Sequence, residues 1–398
     1  MSGSWTGPRL VVAEGATPRD RGRSHGEQTA DLIAEAIDAY SASFSYTHGL
    51  SWRAVTERAA LWMPQISGLA PHLVEEMAGI ADAAGVDVLD ILALNARGEI
   101  VYDPTFTKMS ADDAPEADGC SSFAITRAPD GHVYAGQNWD WRETAAPTVI
   151  ALRIVQPGRP TVIMQAEAGQ IGRQGANAAG IALNANGLGG RFGAAVGMPQ
   201  AIIRRLILDS ARFYDALRVP FALRQQIAAN LLLTHRSGFA IDLETTPGRH
   251  RWGYPDEGLL VHANHYEYGV PEQLGDDYRP FAVDSLYRSP RLTELLRDGL
   301  RSGREVADTV ERALSDHFGH PHGLCRHPDP EEAEPVRSMT IASSLVDLTT
   351  GRYRVAIGQP CAGRLDPLPW NLYDGSAESL AGAGIAAHEH DDGCLCGV

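Results

Sequence analysis

The short apolar run in "RLVVAEG" predicts a strand. The segment after it, "HGEQTADLIAEAIDAYSASFSY", returns apolar residues at helical spacing. "PHLVEEMAGIADAAGVDVLDILALNARGEI" predicts two more helices broken near Gly85, Val86 and Asp87, so residues 1 to about 105 are mainly helical. The stretch that follows, "TFTKMSADDAPEADG", holds no period and is rich in small and acidic residues, which predicts an exposed connection. It ends at Cys120, and there the period changes. "SSFAITR" and "HVYAGQNW" flank the turn signal Ala128-Pro129-Asp130-Gly131, "TVIALRIV" and "TVIMQAEAG" flank "QPGRP", and "GIALNANG" gives a further strand. One helix is predicted over "MPQAIIRRLILDSARFYDALR". A hairpin follows in "LLLTHRSGFAIDLET", then helices in "SPRLTELLRDGL" and "REVADTVERALSDHF", and a last hairpin in "SMTIASSLVDLTTGRYRVAIG". The links between strands are short turns rather than long crossovers. This favours largely antiparallel sheets flanked by helices, an α+β fold, over a parallel Rossmann sheet.

Composition narrows the function. The 398 residues carry a formal net charge of -16 without a strong basic cluster, which argues against holding nucleic acid through its phosphates. The first twenty residues lack a basic start followed by an apolar run, and no segment approaches a membrane span, so a cytoplasmic protein with no membrane partner is expected. Five cysteines, at 120, 325, 361, 394 and 396, do not form a disulfide framework, and each thiol needs its own explanation. Cys325 and Cys361 read as structural. Residues 372–398 read as a small-residue, acidic, flexible tail. Its His388, His390, Cys394 and Cys396 are of the type that binds zinc, but Cys-x-Cys is a poor zinc spacing and a flexible end supplies no rigid geometry. His262 and His265 in "HANHY" lack a supporting His-Glu-x-x-His pattern, so no metal and no cofactor are expected.

Cys120 lies between the acidic connection and a hairpin, where a sulfur can be a core atom, a ligand or a nucleophile. A nucleophilic thiol needs a base, and His132 is the nearest histidine, although its place beside the turn suggests exposure. A second arrangement needs no histidine. If the Gly119–Cys120 bond is cut, Cys120 gains an α-amine with a reference pKa near ~7.7–8.0, suited to general-base work at neutral pH. Glycine before the thiol leaves the scissile carbonyl accessible, and the hairpin folds Asp140 back beside the Cys120 strand to orient the amine. The alternative for Asp140 is a surface residue at a strand end.

"DGCSSFAI", "GQNWDW", "GRQGANAAGIALNANGL", "ANLLLTHRSGFAIDLE", "HANHY" and "DSLYRSPRLTELL" resemble, in that order, the acyl-coenzyme A:6-aminopenicillanic-acid acyltransferase family. This is the isopenicillin N acyltransferase-like group of N-terminal-nucleophile hydrolases. Upstream "RGRSHGEQ" and "DILALNARGEI", and downstream "GLCRHPD" and "VAIGQPCAGR", extend the resemblance over nearly all of residues 15–365. It implies a four-layer αββα sandwich made as a precursor that cuts itself into residues 1–119 and a body from 120 to about 371, the two sharing one domain. By resemblance, Cys120 is the nucleophile, Gly119 the residue it is released from, Asp140 the carboxylate of the following hairpin, and Asn230 the oxyanion-hole amide. Ser285 and Arg288 lie near the pocket. As an alternative, Asn230 is a cap or turn former.

Asn138, Asn186 and Leu188, with Trp139 and Trp141, are candidates to line or support the pocket. Asn184 reads as a turn former. Asn95 and Arg97 fall before the cut and are expected to hold the two segments together or to shape the precursor. The activity implied is hydrolysis of a small N-acyl amino acid, peptide or related amide. The alternatives are acyl transfer to an amine, with acyl-coenzyme A entering only as a substrate, and a non-catalytic binding protein that keeps the fold. The partners expected are thus a small-molecule substrate and the protein's own other segment, with a homo-oligomer left open.

Overall fold

The computed structural model describes residues 7–101, 119–190, 192 and 196–374. All but Gly119 of the predicted connection over 105–119, and the metal-binding reading of the tail, fall outside them. The chain begins with β1 (Arg9–Glu14), then α1 (Pro18–His48), α2 (Trp52–Ala59), α3 (Met63–Leu69), α4 (Pro71–Ala84), α5 (Val88–Asn95) and α6 (Arg97–Val101). β2 (Ser121–Ile125), β3 (Tyr134–Arg142), β4 (Val149–Val155), β5 (Val162–Glu167), β6 (Gly175–Asn177) and β7 (Ile181–Gly187) follow. After α7 (Gln200–Leu208) and α8 (Phe213–Ala222) come β8 (Ala229–His235), β9 (Phe239–Thr245), β10 (Arg251–Gly253) and β11 (Leu259–His262). The chain closes with α9 (Ser285–Arg301), α10 (Val306–Leu314), β12 (Ser338–Asp347), β13 (Arg352–Ile357) and β14 (Asp366–Asn371).

Local chemistry sets several boundaries. Thr17 and Asp20 form a reciprocal capping box with Pro18 in the first turn, so α1 starts earlier than its apolar pattern shows. It ends at Gly49 in the left-handed conformation. Gly85, also left-handed, stops α4, and an Asp87–Asp90 capping box starts α5, giving the predicted break. The pattern predicts no element over 51–70, where α2 and α3 lie. The single helix predicted over 198–218 is two. Asn177 Nδ2 donates to the carbonyls of Leu208 and Ser210, both at 2.8 Å, and this tertiary cap ends α7.

The described strands form two sheets. One runs β1-β4-β5-β6-β7-β8-β9-β10 and the other β11-β2-β3-β12-β13-β14. Their pairs are antiparallel except β1 with β4, which is parallel, so the expected hairpin sheets have one exception. Leu32, Ile33, Met77, Ile80, Ile202 and Ile203 of the helices bury one face of the first sheet against Ile150, Leu152, Leu231 and Leu243. Leu292, Leu296 and Val310 of α9 and α10 cover Phe123, Ile125 and Leu345 on the outer face of the second. Ala135, Ala151, Ile163 and Val355 fill the space between the sheets. The order is helices, sheet, sheet, helices: an αββα sandwich.

Residues 7–101 are part of this sandwich. They supply β1 to the edge of the first sheet and most of its helical cover, and Arg205 of α7 grips Glu76 of α4 with two bonds of 2.6 and 2.9 Å. Leu372 and Tyr373, the first residues of the expected tail, pack on the body: Leu372 is fully buried and the Tyr373 hydroxyl donates to the Leu348 carbonyl. Among the described residues no helix is long and apolar enough to cross a membrane.

Candidate active site

Ser121 opens β2 opposite Asn138 on β3, and the strands run antiparallel. Continuing the chain back by two residues brings Gly119 level with Asp140. A Cβ added to Gly119 would lie 3.1 Å from Asp140 Oδ2 and 3.1 Å from Arg326 Nε. The hairpin thus delivers Asp140 to the Gly119–Cys120 bond, as expected. Alternation on the strands divides the neighbours between two faces. Asp140 and Ser121 point outward toward α9. Ser122 points inward toward the first sheet, and Cys120, buried at 2% exposure, belongs to the same apolar cluster as Trp139 and Trp141.

The outer side of this bond is an ionic cluster sealed from water. Arg288 donates through Nη1 to the Cys120 carbonyl (2.7 Å) and to Ser121 Oγ (2.9 Å). Its Nε donates to Asp284 (2.6 Å) and its Nη2 to Asn264 Oδ1 (2.9 Å). Arg326 Nη2 donates to the same Asp284 oxygen at 2.9 Å, and its Nη1 to Ser338 Oγ at 3.0 Å. Burial works against ionisation of Asp284, but Arg288 and Arg326 outweigh it and hold the carboxyl below its usual range.

Asp140 is different. Oδ1 accepts from Thr340 Oγ1 at 2.6 Å, while Oδ2, fully buried, has no hydrogen-bond partner among the described residues. Complete burial pushes its pKa up to about 7, and Arg288, Arg326 and Thr340 offset only part of this. A carboxylate oxygen aimed at the Gly119–Cys120 bond is therefore held without a donor.

A model of the acyl-coenzyme A:6-aminopenicillanic acid acyl-transferase family matches residues 126–362, more than half of the chain. The chain belongs to that family. The matched range holds Asp140, Asn230, Asp284, Arg288, Arg326 and Thr340, and begins six residues after Cys120. The chain is 28% identical over 354 residues to the acyl-coenzyme A:6-aminopenicillanic-acid-acyltransferase 40 kDa form of Emericella nidulans, covering 88% of this chain and 92% of that one. Similar solved structures include penicillin V acylase from Agrobacterium tumefaciens, with a TM-score of 0.39, 15% identity, and 60% and 83% of the two chains covered. A mutant conjugated bile acid hydrolase from Clostridium perfringens has a TM-score of 0.40 and 11% identity, covering 64% of this chain and 97% of that one.

The other predicted residues of this acyl-transferase family member spread over both faces. Ser285 Oγ accepts from the Asn264 backbone N–H and lies 2.7 Å from His265 Nδ1, so it fixes the loop that presents Asn264 to Arg288. Asn138 lies on the outer face, where its Nδ2 donates to the carbonyls of Leu314 and Leu324 and its Oδ1 accepts from Ser343. It ties α10 to the sheet and supports the site from behind. On the inner face a buried polar chain runs from Ser122 Oγ to Asn186 Nδ2 (2.8 Å), from that nitrogen to Asn230 Oδ1 (3.0 Å), and from Asn230 Nδ2 to Asp242. Asn230 is thus a mid-strand residue paired with Asn186 across β7 and β8, not a cap or turn former. Asn184 likewise lies within β7, and its Nδ2 donates to Gln137 Oε1 at 3.2 Å.

The tryptophans make a wall with a cationic cover. The Arg173 guanidinium lies 4.2 Å from the Trp139 ring centre, and that of Arg97 lies 4.6 Å from the Trp141 ring. Trp141, Gly187, Glu99, Arg97, Arg173 and Arg204 line a narrow cleft, where three guanidiniums, one of them paired with Glu167, meet one carboxyl. Leu188 packs separately with Ala228 and Tyr266. Asn95 bonds Gly169 and Ile171, and Arg97 bonds Glu167 and Tyr40, so both join the segments before and after residue 119. His132 sits at the far end of β3 beside Asp347 at 3.0 Å, remote from Cys120.

Asp284, Arg326, Thr340 and Asn264 are the neighbours that sequence reasoning passed over. Asp284 left little trace, because its i,i+4 spacing to Arg288 falls just before the predicted helix over 289–300, and the structure starts that helix at Ser285. Arg326 left none, since it reaches the site from a loop.

Proposed function

We propose that this chain is a cysteine amidohydrolase that frees its own nucleophile by cutting between Gly119 and Cys120, then opens a small N-acyl amino acid, peptide or related amide through a thioester on Cys120. The observation that carries the reading is the buried, unpartnered Oδ2 of Asp140 beside that bond. A carboxylate oxygen in such a place is costly until it meets a donor, and an α-amine released at Cys120 is a donor created on the spot.

In the cut, the Cys120 sulfur attacks the Gly119 carbonyl carbon, the C–N bond breaks as the nitrogen takes a proton, and water opens the resulting thioester. The products are a Gly119 carboxylate and a free amine on Cys120. In turnover the amine takes the thiol proton, sulfur attacks the substrate carbonyl, and the amine returns the proton to the leaving nitrogen. Arg288 and Arg326, close to that amine, favour its neutral, basic form, while Asp140 orients it. Asn230 spends one N–H on Asp242, and its second is assigned to the tetrahedral oxygen. The arginine-lined cleft supports a substrate that carries a carboxylate.

A second reading is transfer of the acyl group to an amine, with an acyl thioester such as acyl-coenzyme A as a donor. It is favoured by the acyltransferase relative that aligns with 88% of the chain. One set of measurements tests both. Intact mass under denaturing conditions should give chains of 119 and 279 residues (398 - 119), the second beginning Cys-Ser-Ser-Phe, and Cys120→Ala should stay whole. A fully active, uncut chain would falsify the proposal. Product analysis with an amine present separates the two readings: free acid supports hydrolysis, and acceptor-dependent amide supports transfer.

A further inference from the structure

We propose that the loop after α10, together with the turn after β13, forms a structural site for a zinc-like divalent cation held by His317, Cys325, His327 and Cys361. One ligand atom from each of the four lies within 4.8 Å of every other. The distances about His327 Nε2 are 3.5 Å to Cys325 Sγ, 3.5 Å to Cys361 Sγ and 3.2 Å to His317 Nε2. Tetrahedral zinc with bonds of about 2.3 Å to sulfur and about 2.05 Å to nitrogen has edges of about 3.6 Å between sulfur and nitrogen and about 3.3 Å between nitrogens. The three edges that meet at His327 match those of such a tetrahedron, and the other three are no longer than 4.8 Å. Hydrogen bonding alone does not account for them, because one ring nitrogen carries at most one proton and here meets three polar atoms.

The ligands come from segments that the fold fixes independently. Cys325 N–H donates to the Asp316 carbonyl at 3.0 Å and His327 N–H to the Pro321 carbonyl at 2.8 Å, which folds the loop back on the end of α10. Cys361 arrives 34 residues after His327, in a turn closed by Ala362 N–H to the Gln359 carbonyl at 3.0 Å. Four protein ligands leave no open position for a substrate or water, so the site is structural. Two thiolates with two imidazoles suit zinc rather than calcium or magnesium.

The site acts on the candidate active site through one residue. Arg326 lies between ligands Cys325 and His327. Its backbone N–H donates to Thr340 Oγ1 at 2.9 Å, and its guanidinium holds Asp284 and reaches Gly119. A cation that pins both neighbours fixes Arg326 as a positioning residue. This role does not depend on the proposed reaction, because metal content is read without any substrate.

The test uses the full-length chain, produced without a histidine tag, reduced, and dialysed against metal-free buffer. Elemental analysis should find about one zinc per chain, as a closed tetrahedral site retains it. Cobalt substitution should give the thiolate charge-transfer and tetrahedral d–d absorption bands. Cys394→Ser/Cys396→Ser should keep the metal, which separates this site from the tail. Cys361→Ser and His317→Asn, both at exposed positions and so expected to fold, should lose most of the zinc and the cobalt bands. Zinc unchanged in both variants would overturn the proposal, as would a reduced wild-type chain that takes up neither metal. A Cys325–Cys361 disulfide in a protein that binds no metal after reduction would also overturn it.

Discussion

Asp140 shows how one side chain can report on the state of the chain. With burial pushing it up to about 7 from an ordinary 3.8, the folded protein binds a proton that the unfolded chain releases at lower pH. The sign follows: the neutral carboxyl favours the fold most fully below about 3.8, and that contribution is lost as pH rises to about 7. In an uncut Cys120→Ala protein, melting temperature should fall across this window, and Asp140→Asn on the same background should flatten the fall. Identical pH profiles for the two proteins would remove the assignment. Asn230 is tested in the mature enzyme. If its second N–H serves the tetrahedral oxygen, Asn230→Ala should lower kcat by roughly 10²- to 10³-fold with little change in KM. An unchanged kcat in correctly cut protein would return Asn230 to a purely structural link between Asn186 and Asp242.

At the scale of elements, the contact between α1 and α4 depends on absent side chains. A Cβ on Gly22 would stand 1.9 Å from the Glu76 carbonyl oxygen, and one on Gly79 would stand 2.1 Å from that of Arg19, so the two helix backbones touch. Alanine at an unhindered helical glycine stabilises by up to about 1 kcal/mol, whereas forcing packed backbones apart costs about 1–3 kcal/mol or more. Gly79→Ala should therefore lower the urea midpoint. Gly68→Ala, in α3 with nothing within 4 Å of the added carbon, should leave it unchanged or raise it. Equal midpoints for the two variants would refute this account of the packing.

At the scale of the whole molecule, the segments before and after residue 119 are interlocked. β1 completes a ladder with β4, Glu76 and Arg205 pair in the interior, and Arg97 reaches across to Glu167 and the Trp141 ring. A cut at Cys120 breaks one covalent bond and none of these. The sequence by itself determined what repeats locally: the helix break near Gly85, the hairpin at Ala128–Gly131, the αββα reading through its family resemblance, and the return of Asp140 beside the Cys120 strand through a turn of readable length. Only the tertiary structure decided what depends on chain segments far apart in sequence. Arg326 reaches Asp284 across 42 residues, Asn177 ends α7 from 31 residues away, and Cys361 joins His327 across 34. Period and turn chemistry act over a few residues and leave a trace in the order of amino acids. A guanidinium, an amide or a thiol placed by the packing of two sheets leaves none, because its partner is chosen by distance in space.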